Sequence, residues 1–375
     1  VATETAAVAS GSITTLPIKK AKLWSPESPF LYDVEFVLKN REGEVIDYVK
    51  SYFGMRKIHT EGNKIYLNNE PYYQRLVLDQ GFYPDGIWTA PSDAALKKDI
   101  ELSMAAGFNG ARLHQKVFEE RFHYWADKLG YLTWGEAPSW GLDANAVEAA
   151  RNFITEWRNL VVRDMNHPAI VTWTPFNEEF WPDQTQFPRF VNDVYTLTKQ
   201  LDPSRPVNTV SGGIQILTDI WTEHHYEQDP ARLKEIIYDG GKMFVRGPSV
   251  QARHRGNEGF NRPVLNDHYV FTRYDGSIPY ILDEFGGIKC IEANPAKDGA
   301  WGYGSAPQTK EEFYQRLEGQ VRGLMSLNKN MWGWCYTQLT DVEQEQNGIY
   351  YYDRTVKYDM ERIRKIFQME IPAEE

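Results

Sequence analysis

Carboxylates in this sequence fall at the ends of short strand-like runs, where side chains converge to do chemistry. Asn177-Glu178-Glu179 follows Ala169-Ile170-Val171-Thr172-Trp173, and Asp283-Glu284 follows Tyr280-Ile281-Leu282. Glu136 follows Tyr131-Leu132-Thr133-Trp134. Arg112 and His114 close the run from Phe108, and Glu223-His224-His225-Tyr226 closes the run from Ile220. Two carboxyl groups held about 5–5.5 Å apart can cleave a glycosidic bond with retention. One protonates the departing oxygen while the other attacks the anomeric carbon. Arg112 would hold one of them ionised, and a drier pocket would keep the other protonated. His224 and His225 raise the question of a metal, but no third and fourth ligands stand at suitable spacing. Neither a metal nor a cofactor is therefore expected.

These residues need a scaffold that gathers strand ends. Pro91-Ser92-Asp93 opens a helix with apolar Leu96, Ile100 and Met104, and Gly107 closes it. A second helix carries Phe118, Phe122, Trp125 and Leu129 and is closed by Gly130. Helices follow over roughly 145–165, along Phe190, Val194, Leu197 and Leu201, and behind the capping box Thr309/Glu312. Strands are expected near 73–76, 108–113, 131–134, 169–173, 207–210, 220–222, 280–282 and 331–336. Eight strands alternating with helices predict a closed (β/α)8 TIM barrel, with its site at the C-terminal strand ends. Strands four and seven face each other across such a barrel, so Glu178 and Glu284 can form the pair. Asp283 should then point to the other side of its strand. The stretch 241–278 reads as a long insertion before strand seven.

Before the barrel the rhythm differs. Tyr32 to Leu38 alternates, Asn40 to Glu44 signals a turn, and Val45 to Val49 reads as a second strand. This predicts hairpin material from a partial immunoglobulin-like β-sandwich over 1–58, with the barrel over 59–375. The N-terminal VATETAAVASGS has no basic region followed by an apolar run, so it is not a signal peptide. The reading expects the chain to start inside a longer protein, or after processing, with upstream domains missing.

Composition narrows the partners. A net charge of −11 repels phosphate backbones, so nucleic acid is not expected. No stretch approaches the roughly 18 uncharged apolar residues of a membrane helix. The two cysteines, Cys290 and Cys335, rule out a disulfide framework and leave either free thiols or one bridge. Twelve Trp and 22 Tyr mostly serve cores, yet they also supply the flat faces a sugar site uses.

The motifs together resemble glycoside hydrolase family two, the group of β-galactosidases, β-glucuronidases and β-mannosidases. The matching residues are Phe53 to Ile58, Gly107 to His114, Asn166-His167-Pro168, Pro175-Phe176-Asn177-Glu178 and Leu282 to Gly287. Leu23 to Tyr32 resembles the end of that family's immunoglobulin-like domain. The resemblance implies a retaining exo-β-glycosidase, most similar to β-galactosidase-like members, acting on an oligosaccharide or glycoside. It implies Glu178 as acid/base and Glu284 as nucleophile. It also implies Asn177 on the sugar 2-hydroxyl, and Tyr226 and Arg112 orienting the nucleophile. His114 and Glu136 are further candidate substrate contacts. Strand eight of the family presents a Trp platform, for which Tyr336, or Trp334 on the same face, would stand here. A secreted or periplasmic home is what the resemblance suggests. Two other readings differ in class: a carbohydrate-binding or inactive barrel, and a metal-dependent amidohydrolase. The latter needs a His-x-His on strand one, which Tyr72 to Leu76 lacks.

Overall fold

Alternating side chains and a polar turn make the first element a hairpin. Strand β1 (Tyr32–Lys39) pairs antiparallel with β2 (Val45–Phe53), from Tyr32 opposite Phe53 to Lys39 opposite Val45. In the turn, Asn40 Oδ1 accepts from the Glu44 amide at 2.8 Å, a local bond that Asn side chains favour. The computed structural model describes residues 2–7, 14–179, 186–245, 274–290 and 299–370. A small antiparallel sheet follows, made of β3 (Ile58–Glu61), β4 (Lys64–Leu67) and β5 (Glu70–Pro71).

Strands and helices then alternate. They are β6 (Gln74–Asp79), α1 (Asp93–Ala106), β7 (Gly110–Leu113), α2 (Glu120–Leu129), β8 (Leu132–Glu136) and α3 (Val147–Asp164). Next come β9 (Ile170–Thr174), β10 (Phe176–Asn177), α4 (Phe187–Leu201), β11 (Val210–Ser211) and β12 (Trp221–His225). The rest are α5 (Pro230–Ile237), β13 (Tyr238–Asp239), β14 (Lys242–Met243), β15 (Tyr280–Gly286), α6 (Lys310–Met325), β16 (Gly333–Thr337) and α7 (Met360–Phe367).

The main parallel sheet runs β12-β15-β16-β6-β7-β8-β9. Its last strand in sequence lies beside its first, with Gly333 opposite Gln74 and Tyr336 opposite Val77. A barrel brings these strands together; an open doubly wound sheet does not. Past β9 the parallel array continues, because Trp173 bridges Val207, Phe176 pairs with Val210 and Asn177 with Ser211. Asn208 Nδ2 then reaches Ile220 O at 3.1 Å and Thr222 Oγ1 at 3.0 Å, so the two ends of the array meet.

The local signals behave as their chemistry requires. Ser92 Oγ accepts from the Ala95 amide at 3.2 Å at the start of α1. Thr309 Oγ1 accepts from the Glu312 amide at 3.1 Å, but Glu312 Oε2 turns back to the Gln308 amide at 2.7 Å, one residue beyond the box. Helices α5 and α7 were not expected. Each has eight residues, and α5 buries only Leu233 and Ile237, too few to show a period. Residues 212–220 pass from strand five to strand six without a helix. Of the expected insertion at 241–278, residues 246–273 lie outside the described residues.

The N-terminal segment is fastened to the end of the barrel where β9 begins. Trp24 is fully buried and its Nε1 donates to Asp127 O at 2.8 Å. Arg56 donates to Pro168 O at 2.9 Å and Ile170 O at 2.7 Å. Asp127 Oδ2 accepts from Tyr52 Oη at 2.8 Å and lies 2.6 Å from His167 Nδ1, which makes His167 part of this joint. Cys290 and Cys335 are both buried and free. Among the described residues, no helix is long and apolar enough to cross a membrane.

Candidate active site

Arg112 is the hub. It lies fully buried on β7 and uses its fork on three neighbouring or facing strands. Nη1 donates to Glu136 Oε2 at 2.8 Å and to Asn177 Oδ1 at 3.0 Å, and Nη2 donates to Glu284 Oε1. Burial works against the guanidinium charge, but Glu136 and Glu284 outweigh it and raise its pKa well above the ordinary value. Tyr226, just past β12, donates its hydroxyl to Glu284 Oε2 and lies 3.1 Å from Thr337 Oγ1. His114 Nδ1 is 3.3 Å from Glu136 Oε1 and 4.0 Å from Glu284 Oε1. Asn177 is fully buried; Arg112 occupies its carbonyl, and its Nδ2 has no hydrogen-bond partner. A buried amide donor in that state is suited to a hydroxyl brought by a ligand.

Glu178 sits at the end of β10 with φ +50, a conformation that non-glycine residues rarely adopt and that clusters at functional sites. Its amide donates to Ser211 O at 2.9 Å. Its Oε1 is 2.9 Å from His224 Nδ1. Burial pushes this carboxyl up, but the hydrogen bond and charge of His224 prevail and hold it at about 2. Ligand atoms of Glu178, His224 and Glu284 all lie within 4.8 Å of one another. Three such donors could face a small cation. They are, however, already in contact, with His224 Nδ1 2.9 Å from Glu178 and 3.3 Å from Glu284. The group is therefore an ion-paired cluster, and no metal is assigned to it. His225 turns away, its Nδ1 accepting from the Glu227 amide at 3.1 Å.

The sequence residues divide clearly. Glu178, Glu284, Asn177, Arg112, Tyr226, His114 and Glu136 come together. Trp334 and Tyr336 do not, which corrects their expected role as sugar platforms. Both are fully buried on the helix-facing side of β16, packed against Phe285 and Phe367. Trp334 Nε1 points at Met325 Sδ, and the inward positions of β16 belong to its alternating neighbours. Exposed or stacked rings near the site are instead Trp140, 60% exposed with its ring 5.5 Å from His114, and Tyr303, stacked on Tyr226 at 3.4 Å. Asp283 is a second correction. It does not point away, because the β12–β15 register shifts between Glu223 and His224, and Asp283 and Glu284 both reach His224. His224 itself was weighed only as a metal ligand. The available signal was its place two residues before Tyr226, on the same strand face.

Known proteins resemble this chain. Residues 1–56 match the model of glycosyl hydrolases family 2, and residues 88–277, slightly over half of the chain, match its TIM barrel domain. A Vibrio cholerae β-galactosidase is 29% identical over 207 residues, covering 53% of this chain and 19% of that protein. A Paenibacillus borealis β-glucuronidase is 27% identical over 254 residues, covering 62% and 42%. The structure of a β-galacturonidase from Eisenbergiella tayi superposes with a TM-score of 0.72 at 21% identity, covering 94% of this chain and 61% of that one. The chain thus spans less than two thirds of each of these proteins.

Proposed function

The chain belongs to glycosyl hydrolase family 2, and from that premise we propose that it is a retaining exo-β-glycosidase working by double displacement. Glu284 is the nucleophile and Glu178 the acid/base. The observation that carries this reading is the spacing: carboxylate oxygens of the two residues lie within 4.8 Å, close to a retaining pair's separation of about 5–5.5 Å and well short of the about 6.5–9.5 Å of an inverting pair. Glu284 accepts from Arg112 and Tyr226, which aim its two oxygens. Asn177 offers its unpartnered Nδ2 to the sugar 2-hydroxyl. His114 and Glu136 shape the same floor. A terminal β-galactoside is the favoured substrate, with β-glucuronide and β-mannoside as the alternatives.

The same reading assigns residues 1–58 to part of an immunoglobulin-like sandwich and 59–375 to the barrel. Support comes from the hairpin, whose Phe36 and Ile46 are each 60% exposed, as strands awaiting a facing sheet would be.

In the test, Glu178→Gln and Glu284→Gln each lose several orders of magnitude in hydrolysis of nitrophenyl β-glycosides, screened as galactoside, glucuronide, mannoside and glucoside. Azide restores turnover to Glu284→Ala and yields a glycosyl azide of inverted configuration. Full activity in Glu284→Gln sinks the assignment. Glycan binding without hydrolysis in the unaltered protein would favour an inactive barrel.

A further inference from the structure

Glu178 is ionised in the resting site, which suits the base half of a double displacement but leaves the acid half without its proton. The proton has a visible holder. His224 Nε2 is 3.0 Å from Ser211 Oγ and 3.3 Å from Asp283 Oδ1. Ser211 already donates its hydroxyl proton to Asp283 Oδ2 at 2.6 Å, so its oxygen accepts from Nε2. Nε2 therefore carries a proton. Nδ1, on the other side of the ring, faces Glu178 Oε1 at 2.9 Å and Glu284 Oε2 at 3.3 Å. Ionised carboxylates only accept, so a proton must lie between Nδ1 and Glu178.

The ring is fixed in this pose. It is buried, and Gly212 lies against it: a Cβ there would stand 2.3 Å from the ring Cγ and Cδ2. Only a residue without a side chain leaves room for the imidazole. Among the described residues, the groups facing it include Glu178 just past β10, Ser211 on β11, and Asp283 and Glu284 on β15; Tyr226 bonds the same Glu284 oxygen, Oε2, and Arg112 the other.

Resting on the assignment of Glu178 and Glu284 above, we propose that His224 is the proton reservoir of Glu178, and that its charge rises and falls with the charge of Glu284. In the first step a Glu284 oxygen forms a bond to the anomeric carbon and the bond to the leaving oxygen breaks. Glu178 takes the Nδ1 proton and passes it on to the leaving oxygen, so that Glu178 ends the step ionised and His224 neutral. One negative charge and one positive charge disappear together, so the site stays electrically balanced. In the second step Glu178 removes a proton from water, and the water oxygen bonds to the anomeric carbon. The ester bond breaks, Glu284 regains its charge, and the proton returns to Nδ1. One water is consumed. His224 acts through Glu178 and is a positioning residue in that sense. Burial works to lower its pKa, but Glu284 and Asp283 raise it to about 10, in keeping with a charge held by those neighbours.

Two measurements test this. The first follows the His224 ring nitrogens by ¹⁵N NMR against pH in the intact protein, assigned through His224→Gln. In Glu284→Gln, which removes the charge as the glycosyl ester would, the His224 pKa falls by at least about one unit, a tenfold loss of proton affinity. An unchanged titration overturns the coupling. The second compares kcat/KM of His224→Gln on phenyl and 2,4-dinitrophenyl β-D-galactosides. The phenyl substrate needs a proton and loses about 10²–10³-fold; the dinitrophenyl substrate needs none and loses less than about tenfold. Equal losses overturn the reservoir. If His224→Gln does not fold, the NMR comparison of wild type with Glu284→Gln decides alone. Full hydrolysis by Glu284→Gln removes the functional reading instead, and this proposal with it.

Discussion

A single imidazole nitrogen faces two carboxylates, and it couples the charge of His224 to that of Glu178. Glu178 is held at about 2 against an ordinary 4.5, and His224 is raised to about 10 against an ordinary 6.5. The depressed carboxyl contributes stability above pH 4.5 that is lost as pH falls through 2. The raised imidazole contributes stability below pH 6.5 that is lost as pH rises through 10. Both contributions are complete only between 4.5 and 6.5. The melting temperature of wild type should therefore exceed that of His224→Gln most within this window. Thermal unfolding at a series of pH values should show the gap narrowing on both sides; a constant gap would contradict the ion pair.

At the scale of elements, two departures from regular geometry build the site. The register shift beside β15 lets the adjacent Asp283 and Glu284 address the same ring, which strict alternation forbids. The turn after β11 brings Gly212, at φ +58, against that ring. Gly212→Ala adds a methyl where the imidazole stands and forces a left-handed backbone on alanine, a cost of about 1–2 kcal/mol. The ring must move, and a misplacement near 1 Å that is passed on to Glu178 costs about 10²-fold in rate. Assay of the variant should show that loss in kcat/KM with a modest fall in unfolding midpoint. Undiminished kcat/KM would mean that the ring position does not matter. The helices, in contrast, follow local rules: α1 starts at Ser92 and stops before Gly107 as its residues dictate.

For the molecule as a whole, the barrel separates stability from chemistry. Carboxylates gather at the C-terminal ends of the strands, while Trp24, Tyr52 and Arg56 fasten the N-terminal segment where β9 begins. Trp24 is fully buried, so Trp24→Ala should cost about 3–5 kcal/mol in chemical denaturation. The folded fraction should keep its kcat/KM, because Trp24 is bonded to Asp127 O and Met55 O rather than to any residue of the site. Lost turnover at unchanged stability would reverse this division.

Much of this was legible in the chain alone. Strand runs ending in Glu136, Asn177-Glu178 and Asp283-Glu284 announced both the alternating fold and the residues at its rim, because hydrophobic period and turn chemistry are local. The platform role expected of Trp334 and Tyr336 failed for the opposite reason: which face of β16 looks inward depends on its pairing with β6 and β15, not on its own residues. His224 was hidden in the same way. Its meaning comes from Glu178, Ser211, Asp283 and Glu284, which approach it from three other strands. Sequence determined which groups stand at the strand ends; only closure of the barrel decided which of them share a proton.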